Sequence, residues 1–230
     1  GDLHVRKVLS TPGDQSIGVI DGLTGLAGEI GVPLETLLHS TTLFIHGTTV
    51  ATNLLIERKG VRLGLITTAG FRDVLELRDG TKADRYNLRE PFQQPLVPRP
   101  SRIGVAERVR WDGSVEKTLD EDSVRSAVHH LQGQGVEALV VGFLNAHCNP
   151  CHELRVRELI DESGWNTYVS LGHEILAQEG EYDRISTAAV NSYVGPGLQR
   201  YLNNLAVRLR AAGLRVPLMA MQSTGGVLPV

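Results

Sequence analysis

The run Ala138-Leu139-Val140-Val141-Gly142-Phe143-Leu144 is apolar from end to end. A strand with one wet face alternates apolar and polar residues. A continuous run therefore predicts a strand buried on both faces, the setting of a parallel sheet covered by helices. The flanking segments agree. Asp120 predicts the cap of a helix that carries Val124, Val128 and Leu131 and ends near Gly133 or Gly135. A second helix opens at Asn149 and carries Val156, Leu159 and Ile160, and Val61–Thr68 and Thr167–Leu171 supply further strands. Alternating strands and helices joined by short connections predict an α/β fold, a mixed sheet with flanking helices.

The remaining segments fill in around this pattern. Leu3–Leu9 alternates and predicts a half-buried strand, stopped by Thr11-Pro12-Gly13. Ile17, Ile20, Leu23, Ala27 and Ile30 recur on one helical face, with Asp14 or Ser16 as cap and Gly31 as terminator; Gly18, Gly22, Gly25 and Gly28 lower its propensity. From Arg78 to Pro100, Gly80, Pro91, Pro95 and Pro98 predict a long loop. Its Arg85, Arg89 and Arg99 stand among Asp79, Asp84 and Glu90, as on a solvated surface. Arg102–Trp111 alternates and Asp112-Gly113 is a hairpin turn before Val115–Thr118. A long helix runs from Glu181 to Ala212, where Gly195-Pro196-Gly197 predicts a break or kink, and Pro217–Ser223 reads as the first strand of a further domain. The division falls between residues 1–213 and 214–230.

Bulk properties narrow the partners. A net charge of −3 over 230 residues, with 41% hydrophobic and 21% charged, gives no electrostatic reason to expect nucleic acid or an anionic membrane. No apolar run approaches the roughly 20 residues that span a bilayer. Two cysteines favour a reducing, cytoplasmic setting. The chain begins at Gly1, and both ends read as cut.

The segment with most chemistry is His46-Gly47-Thr48-Thr49-Val50-Ala51-Thr52-Asn53. It follows the strand-like Thr42-Leu43-Phe44-Ile45 and precedes a helical pattern through Leu54–Lys59. Gly47 permits close backbone approach, Thr48, Thr49 and Thr52 offer hydroxyls, and the helix start offers free N–H groups to an anion or a polarised carbonyl. From spacing alone, a threonine that caps the helix and a hydrogen-bonded His46 explain the pattern equally well. Ser223-Thr224-Gly225-Gly226, leaving an apolar strand, is either a close-contact loop or an ordinary glycine turn.

Three other clusters carry candidate chemistry. Cys148-Asn149-Pro150-Cys151-His152 matches the c-type haem attachment pattern, but haem also requires export, a distal ligand and an apolar pocket. A zinc site on His147, Cys148, Cys151 and His152 packs four ligands into one segment, whereas structural sites draw on separated pairs. The preferred reading is structural: Asn149 caps a helix, Pro150 fills its first turn and Glu153 sits where the macrodipole favours an acid. His173-Glu174 is the candidate local acid/base pair. Glu181 and Arg184 share a helical face, either as a surface ion pair or lining a cleft, and Asn191 returns to that face.

The octet, together with Ile66-Thr67-Thr68-Ala69-Gly70-Phe71-Arg72-Asp73, Asn149-Pro150-Cys151-His152-Glu153, Glu181-Tyr182-Asp183-Arg184, Asn191-Ser192-Tyr193-Val194 and Met221-Gln222-Ser223-Thr224-Gly225-Gly226, resembles the N-terminal region of the hydantoinase A / 5-oxoprolinase family. The motifs stand in that family's order over nearly the whole chain. Departures are Asp183 in an element closer to E-Y-E-R, Thr224 where Asn is commoner, and the two cysteines in an N-P-x-H-E element. The resemblance implies a ribonuclease-H-like (actin-like ATPase) lobe, incomplete at both ends and lacking its first strand and phosphate loop, with 214–230 opening the following hydantoinase A domain. It implies ATP and Mg2+ as cofactors and a small cyclic amide, 5-oxoproline or a hydantoin, as substrate. Its carbonyl would be phosphorylated and then hydrolysed. On that reading His46, Thr48, Thr49, His173, Glu181 and Arg184 are catalytic, and Gly47, Asn53, Asn191, Ser223, Gly225 and Gly226 line the cleft. No metal ligand is assigned. The expected partner is a hydantoinase B-like subunit or fused domain in an oligomer, and these 230 residues alone are not expected to turn over ATP. The alternatives are a subunit of an ATP-dependent ketone carboxylase of the acetone or acetophenone type and a non-catalytic assembly lobe.

Overall fold

The computed structural model describes residues 1–11, 13–78, 80, 84, 86–87, 89 and 93–230. Pro12, Asp79, Arg85, Glu90 and Pro91, used in the loop reading above, lie outside the described residues. In chain order the elements are helices α1 (Gln15–Ile30) and α2 (Leu34–Ser40), strand β1 (Phe44–His46), helix α3 (Val50–Ile56), strand β2 (Leu63–Thr68) and helix α4 (Val74–Leu77). There follow strands β3 (Arg102–Val105), β4 (Arg108–Val109) and β5 (Val115–Lys117), helix α5 (Glu121–Gly133), strand β6 (Ala138–Gly142), helix α6 (Cys151–Glu162), strand β7 (Tyr168–Leu171) and helix α7 (Gly172–Ile175). Helix α8 (Glu181–Ala211) and strands β8 (Leu218–Met221) and β9 (Val227–Pro229) complete the chain. Two compact units emerge, Leu54–Pro196 and Gly1–Asn53 with Gly197–Val230.

In the unit 54–196 the sheet order is β3-β2-β6-β7 and every pairing is parallel. The chain passes from β2 to β3 on one side and from β6 to β7 on the other, so the connections diverge at the carboxyl ends of β2 and β6, where open α/β sheets form crevices. All residues of β2 and β6 are buried, as a two-sided apolar run requires. Val124, Val128 and Leu131 of α5 and Val156, Leu159 and Ile160 of α6 pack with Ile66, Leu139 and Val141 of the sheet. Each such side chain contributes roughly 1.5–3 kcal/mol by leaving water. Asp120 caps α5 by accepting from the Ser123 N–H at 3.3 Å. Asp112 and Gly113, with φ +81 at the glycine, turn β4 into antiparallel β5.

The other unit holds a mixed sheet, β1-β8-β9, with β1 parallel and β9 antiparallel to β8. Leu38, Tyr201, Leu205, Leu209 and Leu218 form its core, against which Ile20 and Leu23 of α1 pack. Asp14 caps α1 through the Ser16 N–H at 3.0 Å, and Gly31, with φ +80, ends it.

Five details differ from the sequence reading. Leu3–Leu9 forms no strand: among the described residues no strand pairs with it, so its apolar face is exposed. Arg102–Trp111 is divided into β3 and β4 because Glu107 turns inward, towards Thr68 and His152. The helix after the octet stops at Ile56, short of Lys59. Asn149 accepts from the Cys151 N–H at 3.1 Å, yet Pro150 precedes the first helical residue and so lies outside the first turn. Helix α8 runs through Pro196 without interruption, so of the expected break or kink the break is absent. Gly195 serves packing there: a Cβ would lie 2.7 Å from Cζ of Tyr168. Among the described residues no single helix is long and apolar enough to cross a membrane.

Candidate functional site

Strands β1 and β8 run side by side with His46 opposite Ala220, so Gly47-Thr48-Thr49 and Gln222-Ser223 leave the sheet from the same carboxyl edge. A Cβ at Gly47 would meet Met221 only at 4.0 Å, an ordinary contact, so packing does not demand glycine there. A cavity of about 440 Å3 opens at this edge, lined by His46, Gly47, Thr48, Thr49, Thr11 and Tyr201 among others.

Tyr201, on α8, places its hydroxyl 2.8 Å from His46 Nε2. Burial pushes the imidazole of His46 below its ordinary range. The Tyr201 phenol is pushed up, again by burial, against a hydrogen bond with Thr48 that draws it down. Between a neutral imidazole and a protonated phenol the bond runs from the Tyr201 hydroxyl when Nε2 is bare and from Nε2 when it carries the ring proton, so its direction follows the His46 tautomer. Thr48 Oγ1 accepts from the Val50 N–H at 3.2 Å and thereby caps α3. His46, Tyr201 and Thr48 thus hold one another. Thr49 is exposed, and among the described residues its hydroxyl and the N–H groups of Thr48 and Thr49 have no protein partner. Both residues line the cavity, so these donors belong to its wall, an arrangement suited to an anionic group.

The remaining candidates of this unit are placed as follows. Asn53 lies within α3, its N–H donating to Thr49 O at 2.9 Å. Ser223, Gly225 and Gly226 form the exposed turn of the β8–β9 hairpin, closed by Gln222 N–H to Gly226 O at 2.7 Å, with φ +91 at Gly225.

His173, Glu181, Arg184 and Asn191 belong to the unit 54–196. The acid that faces His173 is Glu153, with Nδ1 to Oε2 at 2.6 Å; Glu174 instead meets Arg157 at 2.6 Å. The expected His173-Glu174 pair is therefore corrected to His173–Glu153. The physical reason is that adjacent residues at a helix start point in different directions, and Glu174 points away to α6. Glu153 is fully buried and also accepts from the N–H groups of Phe143, at 2.9 Å, and His173, at 3.0 Å. It ties the carboxyl ends of β6 and β7 together. Next to it, His152 Nδ1 lies 2.8 Å from Glu107, which also accepts from the Thr68 hydroxyl.

Arg184 is fully buried. It donates to Gln178 O at 2.7 Å and Phe143 O at 3.1 Å, while Glu181 stands 3.7 Å away. The guanidinium thus braces the loop after β6, and its Nε has no partner among the described residues. Asn191 donates to Ser170 Oγ at 3.0 Å and Tyr168 Oη at 3.2 Å. Cys148 and Cys151 are exposed, and Cys148 Sγ lies 3.4 Å from Trp111 O. Among the described residues no group of three or more His, Cys, Asp or Glu side chains is placed to hold a metal ion, so no Mg2+ site is assigned to them.

Tyr201, Glu107 and Glu153 did not figure as functional residues in the sequence. Tyr201 carried no motif, and only its position one helical repeat from the core leucines Leu205 and Leu209 marked its face. An acid in the first turn of a helix reads as a solvated dipole partner unless its burial is known.

Comparison with known proteins gives two family-model matches, Hydantoinase/oxoprolinase N-terminal region over residues 1–164 and Hydantoinase/oxoprolinase over residues 184–230. The chain is 36% identical to the caprolactamase subunit alpha of Pseudomonas jessenii, covering 100% of this chain and 33% of that protein. It is 33% identical to the acetophenone carboxylase gamma subunit of Aromatoleum aromaticum over 98% of this chain and 33% of that protein. The 5-oxoprolinase of Saccharomyces cerevisiae is 29% identical over 86% of this chain and 17% of its own. Among solved structures, the ATP-dependent caprolactamase of Pseudomonas jessenii superposes with a TM-score of 0.93 at 35% identity, covering 100% of this chain and 33% of that one. The nucleotide-free acetone carboxylase gives 0.86 at 25% identity, with 97% and 33% covered. The chain spans about a third of the length of the first two relatives. Its α/β fold, of the actin-like ATPase type expected from the motifs, is the one these structures share.

Proposed function

Because this chain belongs to the hydantoinase/oxoprolinase family, we propose that it is part of an ATP-dependent enzyme that opens a cyclic amide ring. The observation that supports this reading is the cavity at the carboxyl edge of β1 and β8, lined by Thr48 and Thr49, whose N–H groups have no protein partner among the described residues, in a chain 36% identical to a caprolactamase subunit. ATP, when bound, supplies the phosphoryl group that turns the oxygen of a poorly electrophilic amide carbonyl into a leaving group. The N–H groups of Thr48 and Thr49 and the Thr49 hydroxyl fit phosphate oxygens. Tyr201 and His46 keep Thr48 in position through the hydrogen bonds described above. Ser223, Gly225 and Gly226, on the turn leaving the neighbouring strand, expose backbone at the same edge. We assign His173, Glu181 and Arg184 to holding the strand ends of their own unit. A cytoplasmic complex with a hydantoinase B-like subunit or fused domain fits relatives that are named as subunits.

A second reading has a specific basis. The identity to an acetophenone carboxylase subunit is 33%, so a ketone in place of the cyclic amide is the competing substrate class. The full-length protein with its partner subunit separates them: ADP release that depends on a lactam, hydantoin or 5-oxoproline supports the first reading. Release that requires a ketone together with bicarbonate replaces it with the second.

A further inference from the structure

Among the described residues, three other than glycine adopt positive φ: Arg58, Arg78 and Asn145. Asparagine tolerates this region, whereas an arginine there is strained by roughly 1–2 kcal/mol. Arg58, with φ +54, ends α3. The Lys59 N–H reaches Leu54 O at 2.9 Å and the Arg58 N–H reaches Leu55 O at 3.3 Å, the paired bonds of a helix terminator whose left-handed position glycine ordinarily fills. Arg78, with φ 53 and ψ −140, ends α4 in a conformation that also favours glycine.

Both strained arginines line one cavity of about 280 Å3 within the unit 54–196. Arg58 reaches only Gln94 O, at 3.4 Å, and Arg78 reaches Gln93 Oε1, at 2.8 Å. Among the described residues the lining contains no acid and neither guanidinium has a carboxylate within salt-bridge distance. Tyr182 and Ser186, one turn apart on α8, add hydroxyls, and Leu55, Leu75, Leu96 and Val190 form an apolar wall. The volume stands near the lower end for small-ligand pockets, about 300–1,000 Å3.

We propose that this cavity is a binding site for a small organic anion, a carboxylate or phosphate held by Arg58 and Arg78 with a short hydrocarbon part against Leu55, Leu75 and Val190. Both guanidiniums line one cavity and among the described residues neither is paired with a carboxylate, so an anion there gains their attraction and accepts their N–H donors. The strain supports a ligand role over a scaffold role. Glycine would end both helices with less strain, so what arginine adds at these two positions is the guanidinium.

The test is calorimetric titration of the full-length protein with hexanoate, acetate, inorganic phosphate and hexylammonium, alongside thermal melting of Arg58→Gly, Arg78→Gly and Arg58→Gln. Expected are hexanoate binding at least tenfold tighter than acetate and no hexylammonium binding. Each Gly variant should lose hexanoate binding at least tenfold while its ligand-free Tm rises, because glycine relieves the strain. Arg58→Gln keeps the strain and loses the charge, so it should lose binding without the rise in Tm. Phosphate that displaces hexanoate identifies the head-group site as one for either anion. Failure of hexanoate to bind, hexylammonium binding equally well, or Gly variants that keep hexanoate affinity would each overturn the proposal. Equal affinity for acetate and hexanoate would overturn its apolar half, and a lowered Tm in the Gly variants would show the guanidiniums to be structural.

Discussion

Tyr201 and His46, 155 positions apart in the chain, meet in a 2.8 Å hydrogen bond beneath the Thr48–Thr49 turn. The contact joins β1 to α8. Removing the phenol oxygen leaves Nε2 half-buried with no partner among the described residues. Tyr201→Phe, which keeps the ring packing, should therefore lower stability by about 1 kcal/mol. With Tyr201 as the donor its loss should also raise the His46 pKa, because the bond lost is then one made to the neutral imidazole, whereas a lowered pKa would identify Nε2 as the donor. Chemical denaturation and an NMR titration of the His46 ring check the two halves separately, and an unshifted titration would mean that the hydrogen bond does not set its protonation.

The adjacent threonines should behave oppositely. Thr48 is engaged with Val50 and Tyr201, so Thr48→Val is expected to cost about 1 kcal/mol of stability, the usual value of a helix cap. Thr49 presents a hydroxyl with no partner among the described residues, so Thr49→Val should leave stability within about 0.5 kcal/mol. In the full-length enzyme it should lower turnover roughly tenfold or more, since a hydrogen bond to a charged group contributes about 1.5–3 kcal/mol. Unchanged turnover with a lowered Tm for Thr49→Val would make that residue structural too.

His46 also predicts a pH dependence. Its folded-state pKa is depressed by burial below the ordinary value near 6.5. Between those two values the unfolded chain binds more protons than the folded one, so stability rises with pH through that window and falls as pH drops through it. One group contributes a slope of at most about 1.4 kcal/mol per pH unit. Denaturation midpoints measured from neutral pH down into the acid range should show this loss in the wild type and a shallower one in His46→Gln. Parallel curves would assign the slope to other groups.

The long-range order of the chain was legible where a single physical requirement dominated. Ala138–Leu144 had to be buried on both faces, and β6 is central in a parallel sheet. Asp120, Asp14 and Gly31 had one local role each, which each performs. Misreadings arose where a residue's role depends on a distant partner. Leu3–Leu9 alternates like a strand, but a strand exists only with a neighbour. Glu153 reads as a surface acid until the amides of Phe143 and His173 converge on it. The octet combined both cases: its exit from a strand was readable, whereas the division of labour between Thr48 and Thr49 depends on Tyr201.

Gly195 is the sharpest of these cases, because two effects of opposite sign compete at one atom. Within a helix, alanine is favoured over glycine by roughly 1 kcal/mol, so propensity alone makes Gly195→Ala stabilising. The added Cβ, however, would stand 2.7 Å from Cζ and 2.8 Å from the hydroxyl oxygen of Tyr168, well inside van der Waals contact. Tyr168 has little freedom to retreat, since its oxygen accepts from Asn191 Nδ2 at 3.2 Å and its backbone lies in β7. Overpacking of this kind costs typically 1–3 kcal/mol, which outweighs the propensity gain. The substitution should therefore destabilise the protein by about 1–2 kcal/mol. In a Tyr168→Ala background the obstacle is gone and the same change should become stabilising, by up to about 1 kcal/mol. Chemical denaturation of the four proteins of this double-mutant cycle measures both signs, and a Gly195→Ala effect of the same sign in both backgrounds would show that the ring does not explain the glycine.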